Sequence, residues 1–186
     1  MRRVAVFGNA GGGKSTLSRR LAEITGLPLH VIDIIQFPGG RFRPEERDGG
    51  KATPEEYLKL HAAILSQECW IIDGYGSTKS AWERFAAADT LVYVDLPIMV
   101  HYWGVTKRFG AGLFGNPKGW PENSPLWEST LDSFRVICLC HKHLTPKYRQ
   151  LVADAAVSKR VHHLRSRSAI EAFIQAAMDE KRRRSV

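Results

Sequence analysis

The chain has 186 residues, 44% hydrophobic and 25% charged, with a formal net charge of +8. That is the length and balance of one soluble globular domain with a sheet of about five strands, and no segment approaches the roughly 18 apolar residues of a membrane helix. Met1-Arg2-Arg3 precedes only Val4 to Phe7 before the first glycine, too short an apolar run for a signal peptide, so the expected location is the cytoplasm.

Arg3-Val4-Ala5-Val6-Phe7 predicts a strand buried on both faces. A glycine loop follows, and then Lys14 to Thr25 carries Leu17, Leu21 and Ile24 on one helical face, with Gly26 and Pro28 as the stop. Leu29 to Ile32 reads as a second buried strand ending at Asp33. Residues 36–52 mix glycine, proline and charge and read as a loop. Thr53-Pro54-Glu55-Glu56 opens a helix through a capping box, with Leu58, Ala62 and Leu65 as its expected apolar face.

Cys69 to Ile72 is a third strand ending at Asp73-Gly74, Ser80 to Ala88 a helix, and Thr90 to Val94 a fourth strand ending at Asp95. A helix from Pro97 reaches Lys107-Arg108. Residues 110–125 hold four glycines and three prolines, a long excursion of lid type. Helices are expected over Leu126 to Lys142 and Pro146 to Ala156, a fifth strand over Arg160 to Leu164, and a last helix from a capping box at Ser168-Ala169-Ile170-Glu171 through Met178.

Strands alternating with helices predict the α/β class: a P-loop NTPase three-layer sandwich, with a parallel sheet covered on both faces. Residues 1–186 read as one domain, with a lid-like insertion at about 108–135 and a basic tail at 181–186. Cys69, Cys138 and Cys140 are too few for a disulfide framework. Cys138-x-Cys140-His141-x-His143 lacks zinc-knuckle spacing and reads as a helix with buried thiols and an outward basic edge. Lys181-Arg182-Arg183-Arg184 carries four of the positive charges and reads as a solvated helix end, with nucleic acid as the alternative partner.

Gly8-Asn9-Ala10-Gly11-Gly12-Gly13-Lys14-Ser15-Thr16 fits the P-loop pattern between a strand and a helix. Its glycines let successive N–H groups turn inward on the phosphates of ATP, and the helix N-terminus points at the same anion. Lys14 reaches the β- and γ-phosphates, and the Ser15 hydroxyl takes a place on Mg²⁺. The strands that end at Asp73-Gly74 and Asp95-Leu96 lack the adjacent glutamate of hydrolytic ATPases, and no Asn-Lys-x-Asp guanine motif occurs. A compact kinase remains, in which Lys107, Arg108 and Arg135 flank the lid and Arg108 is the favoured clamp on the transferring phosphate.

Together Gly8 to Thr16, Leu29 to Asp33, Trp70 to Tyr75, Tyr93 to Pro97 and Val161 to Ser168 resemble the adenylate-kinase-like group of bacterial topology modulation proteins. The resemblance implies a five-stranded 2-3-1-4-5 sheet, ATP and Mg²⁺, and a separate acceptor pocket under the lid. Adenylate kinases carry an arginine after the aspartate–glycine step that this chain lacks at Tyr75-Gly76-Ser77, unless Arg41, Arg43 or Arg84 substitutes. Asp33 is similar in position to the residue by which shikimate-type kinases bind acceptor hydroxyls, where a carboxylate orients the hydroxyl and takes its proton; a cap or loop hydrogen bond is its other reading.

Asp73 is expected to hold a water on Mg²⁺, and Asp95 to be structural. The resemblance also places adenine between Arg108 and Arg165-Ser166-Arg167-Ser168, with Arg167 as a contact. Tyr75 and Trp120 are the aromatics to watch for ligand contact. The expected partners are ATP and a small nucleotide, nucleoside or polyol acceptor, for a monomer or homodimer. The competing function is an ATP-binding regulator of DNA topology or gene expression.

Overall fold

The computed structural model describes residues 1–36, 52–113 and 126–184, the side chains of Ser129 and Arg184 excepted. β1 (Arg3–Gly8), β2 (Leu29–Val31), β3 (Trp70–Asp73), β4 (Thr90–Val94) and β5 (Arg160–Leu164) form one parallel sheet in the order β2-β3-β1-β4-β5. The implied 2-3-1-4-5 order is therefore correct. Register places Asp73 beside Val6 and Gly8 beside Val94, so an acid from β3 lies next to the strand that ends in the glycine loop.

β1 alternates between two cores. Ala5 and Phe7 face a cluster with Phe85, Tyr93 and Tyr148, whereas Val4 and Val6 face Leu17, Leu21, Val92 and Ile174. Phe7 lies 4.4 Å from Phe85 and 5.1 Å from Tyr93 between ring centroids. Each such side chain, fully buried, contributes about 1.5–3 kcal/mol. α1 (Lys14–Thr25) and α8 (Arg167–Arg184) pack on the second face, and α3 (Pro54–Leu65), α4 (Thr78–Ala87) and α7 (Thr145–Ala155) on the first. α5 (Ile98–Gly112) and α6 (Leu126–His143) pair with each other beyond the carboxyl ends of the strands.

Several sequence expectations need correction. β2 stops at Val31, and Asp33 sits instead in the first turn of a short helix, α2 (Ile32–Gln36). The α3 capping box forms as expected, but the buried face is Tyr57, His61 and Ile64; Leu58 and Leu65 are half-buried and Ala62 is exposed. The shift has a polar cause, because the Tyr57 hydroxyl pairs with Ser80 Oγ at 2.7 Å inside the core. α4 begins earlier, from an unforeseen capping box of Ser77 with Ser80.

The box at Ser168 does not form. Glu171 pairs with Arg20 at 2.7 Å, and Ser166 Oγ accepts from the Ala169 amide at 3.0 Å. α8 then continues through the basic run to Arg184. α5 also passes through Gly110 and ends at Gly112, where a Cβ would overlap the Leu126 side chain, so that glycine serves a close approach to α6. Most of the expected lid, residues 114–125, lies outside the described residues.

Asp95 is structural, as expected. Its buried carboxylate takes two hydrogen bonds from Arg149, at 2.8 and 3.1 Å, and one from His163 Nε2 at 2.8 Å, tying β4 to α7 and β5. Burial pushes this carboxyl up, but the bonds from Arg149 and His163 outweigh it and the net shift is downward. Its stabilisation is therefore complete above the ordinary carboxylate range and is lost as pH falls through the depressed value. Asp95→Asn should cost about 2 kcal/mol at pH 7, since hydrogen bonds to a charged group are lost. Urea unfolding across acid and neutral pH should show the variant with a flatter acid limb than the wild type.

Candidate active site

β1 ends at Gly8 with φ 135°, where a Cβ would overlap the Val94 carbonyl oxygen. Gly11 and Gly13 follow at φ 71° and 86°, conformations that turn backbone N–H groups toward one concavity. α1 starts directly afterwards without a side-chain cap, leaving its first N–H groups for an anion.

The concavity is a cleft of about 510 Å³ between the P-loop, α2, the turn after β3, and the wall made by α5, α6 and α7. Lys14, Asp33 and Arg108 all line it, as do Asp73, Gly8 to Gly11 and Gly13 to Thr16. Three residues separated widely in sequence thus converge on the P-loop. Gly12 does not line the cleft; it packs against α5, and a Cβ there would lie 2.8 Å from His101 Cε1. Arg167 is exposed at the start of α8 and does not line the cleft either. Arg135 is exposed, 4.0 Å from Asp132, and Lys107 lies 5.3 Å from the Trp103 ring, so of the three lid cations only Arg108 faces the site.

Lys14 Nζ donates to the Asn9 carbonyl at 2.8 Å, and Arg108 Nη2 donates to Ser133 Oγ at 3.1 Å. Asp73 is buried, and its Oδ1 has no hydrogen-bond partner. Burial pushes its carboxyl above the ordinary range; the Lys14 charge and the Ser15 hydroxyl pull it down, and Asp33 pushes it up again. A buried acid with one unpartnered oxygen beside the P-loop serine and lysine is suited to a hydrated cation. Among the described residues no group of three His, Cys, Asp or Glu gathers into a closed metal site. Cys138 is exposed and Cys140 buried, so the pair of buried thiols expected on α6 is only one.

Several roles around the site were not legible in the sequence. Asn9 uses its side chain as well as its backbone, donating to the Ile137 carbonyl of α6 at 2.9 Å and accepting from the Ala10 amide at 2.8 Å. His101 Nδ1 lies 2.8 Å from the Ala10 carbonyl. Arg84, weighed as an acceptor-binding arginine, is fully buried beneath the turn after β3 and does not line the cleft. It donates to the Gly74 and Tyr75 carbonyls at 2.8 and 3.0 Å, and so holds that turn in place. Only its separation of seven residues from Ser77, across a helix, hinted at this.

The wall opposite the P-loop is less polar, with Val136, Cys140, Leu144 and Tyr148. Tyr75 reaches the cleft and donates to Thr78 Oγ1 at 3.0 Å. Trp120, Arg41 and Arg43 lie outside the described residues. Trp70 is buried in the core, whereas Trp103 and Trp127 are exposed.

No protein-family model matches the chain, and no curated protein does. Among solved structures, the chain is similar to a shikimate kinase from Acinetobacter baumannii in complex with shikimate, at 18% identity and a TM-score of 0.55, over 97% of this chain and 95% of that one. It is also similar to a shikimate kinase from Bacteroides thetaiotaomicron, at 15% identity and a TM-score of 0.50, over 96% and 97%. With the strand order and the P-loop geometry, these likenesses give the chain the P-loop kinase fold.

Cys140 supplies a chemical probe of the cleft wall. Burial pushes its thiol up to about 11, with Lys14 acting weakly in the other direction. A thiol that stays protonated is a poor nucleophile. At pH 8, iodoacetamide should therefore modify exposed Cys138 at least about tenfold faster than Cys140, as read by peptide mass spectrometry of the native protein.

Proposed function

We propose that the chain is an ATP-dependent phosphotransferase that moves the γ-phosphoryl group of Mg²⁺-ATP to a small hydroxyl-bearing acceptor of the nucleotide, nucleoside or polyol type. The observation that carries this reading is the convergence of Lys14, Arg108 and Asp33 on one cleft over the P-loop. The positive-φ glycine cradle fits a phosphate chain, and the Asp73 carboxylate beside Ser15, with Oδ1 unpartnered, fits Mg²⁺ with its waters.

When bound, Mg²⁺-ATP supplies the transferable phosphoryl group and a cation that neutralises its charge. The chain's own residues do the rest. Gly8 to Gly11 and Gly13 to Thr16 bind the phosphates, with Lys14 leaving the Asn9 carbonyl for the β- and γ-oxygens. Ser15 would hold the cation, with Asp73 supporting it from beside Ser15. Asp33 orients the acceptor hydroxyl and takes its proton as the acceptor oxygen–phosphorus bond forms and the bond to the β-phosphate oxygen breaks. Arg108 stabilises the charge on the moving group. The adenine is assigned to the region between Arg108 and residues 165–168, with Arg167 as its outer contact, on the sequence resemblance to the topology modulation group.

Phosphoryl transfer rather than hydrolysis requires water to be kept from the γ-phosphate, and the wall of Val136, Leu144 and Tyr148 supports that. The described residues contain no helix long and apolar enough to cross a membrane.

The test is ADP formation from Mg²⁺-ATP against nucleoside monophosphates, nucleosides and polyols. One class should stimulate turnover, and Lys14→Ala should abolish it. Asp33→Asn should lower kcat about 10²–10⁴-fold, the range for loss of a general base, while ATP affinity is retained. Tight ATP binding without stimulation by any class would reject the phosphotransferase and leave a nucleotide-gated regulator.

A further inference from the structure

α5 leaves β4 directly over the glycine loop. His101, Gly104 and Arg108 recur at i, i+3 and i+7 and therefore share one face of the helix. His101 is buried, and its Nδ1 lies 2.8 Å from the Ala10 carbonyl oxygen. A carbonyl only accepts, so Nδ1 carries the proton. One turn further on, a Cβ on Gly104 would overlap the Gly11 carbonyl oxygen, and a Cβ on Gly11 would overlap the His101 carbonyl. The next turn brings Arg108 to the cleft, where it donates to Ser133.

We infer that His101 is a positioning residue that orients the Ala10–Gly11 peptide of the phosphate cradle and, with the Gly11–Gly104 contact, registers α5 so that Arg108 stands at a fixed place over the site. This rests on the reading that the cleft holds Mg²⁺-ATP. In a planar trans peptide the C=O and the following N–H point in opposite directions. Drawing the Ala10 carbonyl toward α5 therefore aims the Gly11 N–H the other way, toward the cleft that Gly11 lines. Burial lowers the titration of the imidazole and the Lys14 charge adds to this, while the backbone hydrogen bonds to Ala10 and Leu96 and the Asp95 charge act in the other direction. Arg108 follows Gly104 by four residues, about 6 Å along the axis, so a slip of α5 on the loop moves the cation by the same amount.

The experiment compares His101→Leu, which has no donor, with His101→Asn, whose amide nitrogen takes the place of Nδ1. His101→Leu should weaken Mg²⁺-ATP binding about tenfold, roughly the effect of one hydrogen bond, while His101→Asn stays within about threefold of wild type. In the nucleotide-free protein, amide exchange at the P-loop should quicken in His101→Leu and not in His101→Asn. If His101→Leu fails to fold, His101→Gln takes its place, since its amide lies one carbon farther out and should not rescue. Gly104→Ala should lower both ATP affinity and kcat.

Equal ATP affinity in His101→Leu and wild type, or equal losses in the Leu and Asn variants, would overturn the inference. A wild type that does not bind ATP, but whose P-loop amides still loosen in His101→Leu alone, would reject the nucleotide reading and leave the positioning role standing.

Discussion

The cleft depends on a loop whose backbone must come closer to its neighbours than any side chain allows. Gly8 lies against the Val94 carbonyl and Gly11 against α5 at His101 and Gly104, with no room for a Cβ at these contacts. That closeness serves two ends. It lets N–H groups of a positively curved backbone reach an anion, and it clamps the loop between the end of β4 and a helix that begins four residues later. A phosphate cradle of amides is useful only if it is already in place when the charge arrives, because reorganising dipoles during a reaction would consume the stabilisation they give.

Around this rigid loop the charges are divided by depth. Lys14 and Arg108 line the cleft, as does Asp33, which is exposed in α2. Asp73 and Arg84 lie deeper, the first orphaned at Oδ1 and the second at Nε and Nη1. Two opposite charges of this kind in a core are costly unless something compensates for them. Arg84 does so in part through the Gly74 and Tyr75 carbonyls, which an apolar residue would leave unpaired in a buried turn. The same turn brings Tyr75 to the cleft, so the buried cation shapes a surface it does not touch.

Much of this was legible in the sequence where a local pattern decides the outcome. The P-loop, the limits of α1, β4 and β5, and the Thr53–Glu56 box follow from spacing and capping alone. Lys14 was read from the P-loop motif, and Asp33 and Arg108 from their nearness to the carboxyl edge of the sheet. All three line the cleft, although Asp33 lies in α2 and Arg108 inside α5 rather than at the ends expected for them. What was missed is non-local. The buried face of α3 includes Tyr57 and His61 rather than Leu58 and Ala62 because their partners, Ser80 and Glu83, lie on α4. Gly104 carries no local signal of its role, which rests on its close contact with Gly11. The Ser168–Glu171 box failed because Arg20, on α1, competes for Glu171.

The resting position of Lys14 links these parts. Its ammonium caps the Asn9 carbonyl, while the Asn9 side chain ties α6 to the same loop through Ile137. An incoming phosphate offers a full charge in place of a carbonyl dipole, and a charge-assisted hydrogen bond is roughly twice as strong as a neutral one. The exchange therefore favours the ligand without leaving Lys14 unpaired beforehand. Asn9 keeps its hold on α6 throughout, because the bond to Ile137 uses Nδ2 and not the carbonyl that Lys14 releases. On the phosphotransferase reading the Ile137 bond would keep the wall carrying Val136 and Cys140 tied to the cradle while Lys14 exchanged its partner, so the cleft would change its charge pairing without losing that tie.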